Sequence, residues 1–275
     1  MTSSPSKPNS AVGDYVMEHA GEAERLERKT DDAKSEEQLR LVGIREGMRA
    51  LDLGAGSGAV TRVMARLVGP SGRATAFDGS KERLDHGRTL AADVPNLDFV
   101  QGDIYAPELP AGAFDLVWSR FVFSYLADPA RAVAAITPLI KIGGALALAD
   151  IDGNGLFHFP MSEKLAGGLA KLERAFAGRF DPLVGRKLFH FVRSAGLEQI
   201  RVHVLPYHLY PGTAPDEAVE NWREKLSTIR PIAERAFGSA ADYEAFVGAF
   251  LEHLRDPETY TYSTLHIAVG RRVRE

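Results

Sequence analysis

Between Ala50 and Val60 the chain reads ALDLGAGSGAV, an apolar run that meets Gly54, Gly56 and Gly58 before a helical pattern begins. Glycines at alternate positions permit a tight turn and close approach of the backbone to a ligand. A strand feeding a helix through such a turn can aim amide groups and a helix N-terminus at a ligand carrying negative charge. Gly54, Gly56 and Ala59 also satisfy the relaxed G-x-G-x-x-G/A spacing of dinucleotide sites, with Asp78 about 20 residues on to hold ribose hydroxyls. The turn alone does not choose between these ligands. Asp52 weighs against a pyrophosphate, because a carboxylate just before the first glycine favours a cationic amino group.

A second concentration of polar chemistry runs from Asp150 to His158. Asp150, Asp152, Asn154 and Gly155 imitate the opening of a calcium loop, but Met161 stands where the bidentate glutamate should complete it, so no metal is expected. The histidines show no HExxH pairing. With no cysteine, a disulfide framework, a thiolate zinc site and a cysteine nucleophile are excluded.

The elements that must position these residues alternate. Strands are predicted over 49–53, 73–78, 97–101, 114–119 and 145–150, with helices over 59–68, 80–92 and 129–140 between them. Such alternation implies a parallel sheet covered on both faces, a doubly wound α/β core. Beyond Asp150 the rhythm changes to helical stretches over 161–195 and 215–254, with strands over 197–206 and 260–273. The expected organisation is a polar, disordered tail over 1–13, a helical cap over 14–41, and a domain over 42–275. Helical lid segments over about 155–195 and 215–256 lie at the carboxyl end of the sheet, where open α/β sheets bind ligands.

A chain of 275 residues, 45% of them hydrophobic, can bury a full core. Its net charge of −4 supplies no global field for nucleic acid or an anionic membrane, which makes a small molecule the expected partner. The polar start lacks the apolar core of a secretory signal, and the longest apolar run, Ile142 to Ile151, is too short to span a bilayer. A soluble, cytoplasmic protein is expected; oligomeric state is not legible.

Taken together, AspLeuGlyAlaGlySerGly at 52–58, Asp78, GlyAspIle at 102–104, PheAspLeuValTrpSerArg at 114–120 and the Gly143-Gly144 turn resemble class I S-adenosylmethionine-dependent methyltransferases. The resemblance implies a seven-stranded Rossmann-like sheet with its last strand antiparallel, and S-adenosyl-L-methionine as cofactor. It implies that Asp52, Gly54, Ala55 and Gly56 line the methionine end and that Asp78 holds the ribose, bordered by Gly79 and Ser80. Asp103 and Ile104 would meet adenine, and Ser119 with Arg120 would close the pocket beside the sulfonium. A looser likeness to bacterial small-molecule methyltransferases rests on Tyr15, Arg25-Leu26, AspIleAsp at 150–152 and AspProLeuValGlyArgLysLeu at 181–188, and adds Tyr15 to the cofactor's contacts. Ala55 stands where many relatives have cysteine, and Lys29 where they often have glutamine.

The implied activity is methyl transfer to a small, hydrophobic or aromatic metabolite. A base is optional, but for a hydroxyl acceptor it adds about 100- to 10,000-fold. His158, following strand five, is the expected base. Alternatives are a cofactor-binding protein or non-methylating catalyst on the same fold, and an NAD(P)-dependent oxidoreductase. Against the last, no tyrosine precedes a lysine by four residues, so the Tyr-x-x-x-Lys signature is missing. Against a nucleic-acid methyltransferase, SerArgPheVal at 119–122 occupies the place of an Asn/Asp-Pro-Pro-aromatic segment.

Overall fold

The computed structural model describes Glu27 and residues 30–274. The predicted tail over 1–13, Tyr15 and most of the cap lie outside the described residues. Helix α1 (Asp32–Leu41) begins at Asp31, whose carboxylate accepts the amide of Lys34. Then follow β1 (Arg49–Leu53), α2 (Ala59–Val68), β2 (Arg73–Asp78), α3 (Lys81–Leu90), β3 (Leu97–Gln101), β4 (Phe114–Arg120) and α4 (Pro129–Ile136). Ser80 caps α3 and Asp128 caps α4, whose Pro129 fills a first-turn position that needs no amide donor.

The second half comprises β5 (Ile140–Phe159), α5 (Glu163–Phe176), α6 (Leu188–Ser194), β6 (Glu198–Pro211), α7 (Asp216–Phe237), α8 (Ala240–Arg255) and β7 (Tyr260–Arg271). The sheet has seven strands in the order β3-β2-β1-β4-β5-β7-β6, with β7 antiparallel to both neighbours. This is the expected doubly wound, Rossmann-like arrangement. One apolar cluster fills the face covered by α4 and α6, and a second the face covered by α1 and α2.

Two expectations change. Strand β5 does not end at Asp150. Its pairing with β7 becomes irregular between Asp152 and Phe157, then resumes through Phe159 opposite Tyr260. The predicted lid segment from 155 therefore begins as strand. The helical stretch over 161–195 divides into α5, a 3-10 turn at Gly185–Lys187, and α6, while that over 215–254 breaks at the left-handed Gly238. Helices α5, α7 and α8 form a third core around Trp222, Tyr243, Phe246 and Phe250. A Cβ at Gly168 would collide with the Phe246 ring, so this glycine lets α5 approach α8 closely.

Candidate active site

The carboxyl ends of β1, β2, β4 and β5 open into a cavity of about 890 Å³ roofed by α5 and α7. Asp52, Gly54, Ala55, Gly56, Asp78, Gly79, Ser80, Asp103, Ile104 and Arg120 all line it. The sequence thus brings ten of its predicted cofactor contacts to one crevice. Thr30, Arg83, Phe121, Val122 and Tyr207 line it as well, and no motif pointed to them.

At the glycine turn, Gly54 sits at φ 71°, and a Cβ there would penetrate Val122 Cγ2. Most of the turn's amides are bonded within the chain rather than held out for an anion. Gly54 and Ala55 both donate to the Phe77 carbonyl (2.8 and 3.1 Å), Gly56 donates to Asp78 Oδ2 (2.8 Å), and Gly58 to the Ala55 carbonyl (2.9 Å). Asp78 Oδ1 accepts from the Ser80 amide (2.8 Å) and the Arg83 guanidinium (3.1 Å). Asp103 Oδ1 accepts the Tyr105 amide at 2.9 Å, which sets the turn beside buried Ile104.

Asp52 is buried, and its Oδ2 accepts the Thr61 hydroxyl at 2.7 Å. Burial pushes its carboxyl up to about 6, against the stabilising pull of Thr61 and Arg120. Arg120 donates to Ser35 Oγ and Gln38 Oε1 of α1, both at 3.2 Å, and its guanidinium lies 5.2 Å from the Phe121 ring centroid. No carboxylate among the described residues forms an ion pair with it. Ser119 departs from expectation: it is buried, donates to the Leu53 carbonyl at 3.0 Å, and does not line the cavity. It fastens β4 to β1 because strand alternation turns its side chain into the sheet's packing.

The other half of the cavity is a mostly apolar chamber walled by Leu169, Leu172, Phe176, Trp222, Leu226 and Phe250, with charged Glu173 of α5 and Lys225 of α7 also on its walls. Tyr125 packs against Phe180 with ring centroids 5.1 Å apart. At the junction of the two halves stands Asp150, accepting the amides of Ser124 (3.0 Å) and Ile151 (2.9 Å). Burial pushes its carboxyl up to about 7, since amide donors only partly replace water.

His158, the expected base, is not at this junction. It is buried, with Nδ1 2.8 Å from Thr261 Oγ1 and Nε2 3.0 Å from the Gly155 carbonyl, and it packs edge-on against Phe250 and His253. Burial presses its pKa down to about 4, and it lines no part of the cavity. The histidine is a neutral strut between β5, β7 and α8. Asp152 is likewise engaged, bonded to the Arg186 guanidinium through both oxygens. Among the described residues no cluster of three metal-ligating side chains occurs, and no helix is long and apolar enough to cross a membrane.

The donor set decides what fits the crevice. Two carboxylates flank a turn in which four amides are already engaged, which disfavours a pyrophosphate and suits a ribose diol attached to a cationic amino acid. Comparison with known proteins agrees. A family described as methyltransferase domain matches residues 51–148. The chain is 33% identical over 251 residues to an uncharacterised 37.1 kDa protein in transposon TN4556 of Streptomyces fradiae, covering 88% of this chain and 68% of that protein. It is 31% identical over 170 residues to the ubiquinone/menaquinone biosynthesis C-methyltransferase UbiE of Pseudomonas paraeruginosa, covering 60% of this chain and 62% of that protein, less than two thirds of its length. Among solved structures, Haemonchus contortus phosphoethanolamine N-methyltransferase 2 in complex with phosphomonomethylethanolamine and S-adenosylhomocysteine shares the fold. Its TM-score is 0.57 at 17% identity, over 88% of this chain and 53% of that one. From sheet order, crevice chemistry and sequence likeness alike, the chain belongs to the class I S-adenosylmethionine-dependent methyltransferases.

Proposed function

We propose that the protein transfers a methyl group from S-adenosylmethionine to a small apolar, ring-bearing acceptor held beneath α5 and α7. One observation carries this reading: a single cavity joins the acid-flanked glycine turn to a chamber whose walls are mainly aromatic and aliphatic. The relatives named for ubiquinone and menaquinone biosynthesis support an acceptor of that character. Bound S-adenosylmethionine would supply an electrophilic methyl on a sulfonium, and displacement returns the carbon–sulfur electron pair to sulfur. In this reading Asp52 faces the amino group, Arg120 the carboxylate, Asp78 the ribose, and Asp103 with Ile104 the adenine.

The chain's largest contribution is alignment. Holding donor and acceptor at about 3 to 3.5 Å in line is worth roughly 7 to 11 kcal/mol in favourable cases. For a hydroxyl acceptor, Asp150 replaces His158 as the group that takes the proton, because it stands at the junction and titrates near neutrality.

Isothermal titration with S-adenosylmethionine and S-adenosylhomocysteine tests the cofactor half; failure to bind either removes it. Incubation with methyl-labelled donor and a metabolite extract tests the transfer half. Labelled apolar product is expected, whereas tight binding without labelled product would identify a cofactor-binding protein or non-methylating catalyst instead.

A further inference from the structure

Arg120 enters the cavity from the last position of β4, and what holds its guanidinium comes from outside the sheet. Its Nη1 donates to Ser35 Oγ and to Gln38 Oε1, each at 3.2 Å. These two residues lie about one helical turn apart on α1, so their side chains converge on a single nitrogen. With Leu39 they are the buried residues of that helix. The Ser35 hydroxyl commits its proton to the Asp31 carbonyl at 2.8 Å, which leaves a lone pair for the guanidinium. The glutamates of α1 turn elsewhere: Glu36 pairs with Arg40 and Arg66, and Glu37 is exposed. The guanidinium also lies over the Phe121 ring, and Phe121 sits at φ 60°, a backbone setting that bulky residues rarely take.

The uncharged partners matter because Arg120 is desolvated. Burial presses its pKa down, against the pull of Tyr207, Asp52 and Asp31. A carboxylate bonded to it from α1 would relieve that cost, but would also cancel the charge that a ligand's carboxylate needs. Two neutral oxygens fix the guanidinium in place and leave its charge intact. They occupy Nη1 alone, and among the described residues Nη2 and Nε have no hydrogen-bond partner. Those two nitrogens form the planar fork that grips a carboxylate through two bonds.

We infer that Gln38 and Ser35 are positioning residues: by holding Arg120 through uncharged acceptors, α1 makes the glycine-turn end of the cavity selective for a ligand that carries a carboxylate. This role rests on the methyl-donor reading, in which Arg120 meets the carboxylate of the methionine moiety. Calorimetric titration of the full chain with S-adenosylhomocysteine, and with its decarboxylated analogue that keeps the ammonium, separates positioning from packing. The parent should favour S-adenosylhomocysteine by about 10-fold or more. Gln38→Glu keeps the size and helix preference of the side chain but sets a carboxylate on Arg120. Affinity for S-adenosylhomocysteine should then fall about 10-fold, while that for the decarboxylated analogue stays level or rises. Ser35→Ala removes one acceptor without adding charge, and should weaken S-adenosylhomocysteine about 3-fold with the analogue unchanged. Equal losses for both ligands in either variant would mark a packing role and overturn the positioning role, as would an unchanged S-adenosylhomocysteine affinity in Gln38→Glu. A parent that binds S-adenosylhomocysteine without preferring it to the analogue overturns the role and leaves the methyl-donor reading standing. Binding of neither ligand by the parent overturns both.

Discussion

Asp150→Asn isolates the energetic cost of burying a carboxylate at the junction of the two half-cavities. Asp150 has an ordinary value of 3.8 and is pushed up to about 7 in the folded chain. Because the native state holds this proton more tightly than the unfolded state does, raising the pH from about 4 through about 7 destabilises the fold. The rise from 3.8 to about 7 corresponds to about 4 kcal/mol over the whole window, of which roughly 2 to 3 kcal/mol falls between pH 5 and 8. An asparagine carries no such dependence. It also turns its carboxamide NH2, a donor, toward one of the backbone N–H groups that Asp150 now accepts, a cost of about 1 to 3 kcal/mol that does not vary with pH. Asp52, buried at the other end, is present in both proteins and cancels from their difference. Urea denaturation of both proteins at pH 5, 6, 7 and 8 therefore reads the Asp150 contribution alone. The variant should gain on the parent by roughly 2 to 3 kcal/mol as pH rises from 5 to 8. A stability difference that stays constant over this range would refute the assignment of a proton to Asp150 near neutrality.

Gly54→Ala forces a side chain into the left-handed region and onto Val122, costing about 1 to 2 kcal/mol for the backbone and about 1 to 3 for overpacking; a lowered melting temperature with weakened S-adenosylhomocysteine binding by calorimetry is expected. Asp78→Ala should weaken S-adenosylmethionine affinity by about 1 to 3 kcal/mol, and parental affinity by titration would contradict the ribose role. His158→Leu leaves the Thr261 hydroxyl and the Gly155 carbonyl without their partner, so it should destabilise by about 1 to 3 kcal/mol in denaturation while cofactor affinity by calorimetry stays unchanged.

The parallel half of the sheet was legible because its strands are buried on both faces. Ala50 to Leu53 and Phe114 to Ser119 therefore read as near-continuous apolar runs closed by glycine or a polar residue. The glycine turn and Asp78 followed from spacing and the ends of β3 and β4 from the family resemblance, and all but Ser119 of these residues line one crevice. The extension of β5 was not legible. Gly153, Asn154 and Gly155 look like a loop, and the strand beyond them exists by virtue of partners about 100 residues away, Thr261 and Tyr262. That same pairing decides His158, whose period-two alternation with Phe157 and Phe159 turns it away from them toward α8. The chamber's Trp222 and Tyr207 had no local signal, since which side of α7 or β6 meets the cavity is set by packing across the whole lid. Likewise, the family resemblance suggested a pocket role for Ser119 but did not reveal its bond to Leu53.

Strand β5 runs from the floor of the glycine-turn crevice into the platform beneath α5, α7 and α8, with an irregular stretch at Gly153 and Gly155 between the two. The two share one beam. On the proposed reading, other acceptors would be accommodated by exchanging side chains at positions such as Leu172, Phe176, Leu226 and Ile229, leaving the glycine turn and its acids untouched. Chemistry and selectivity would vary independently over evolutionary time, with the shared strand preserving the line of attack between them.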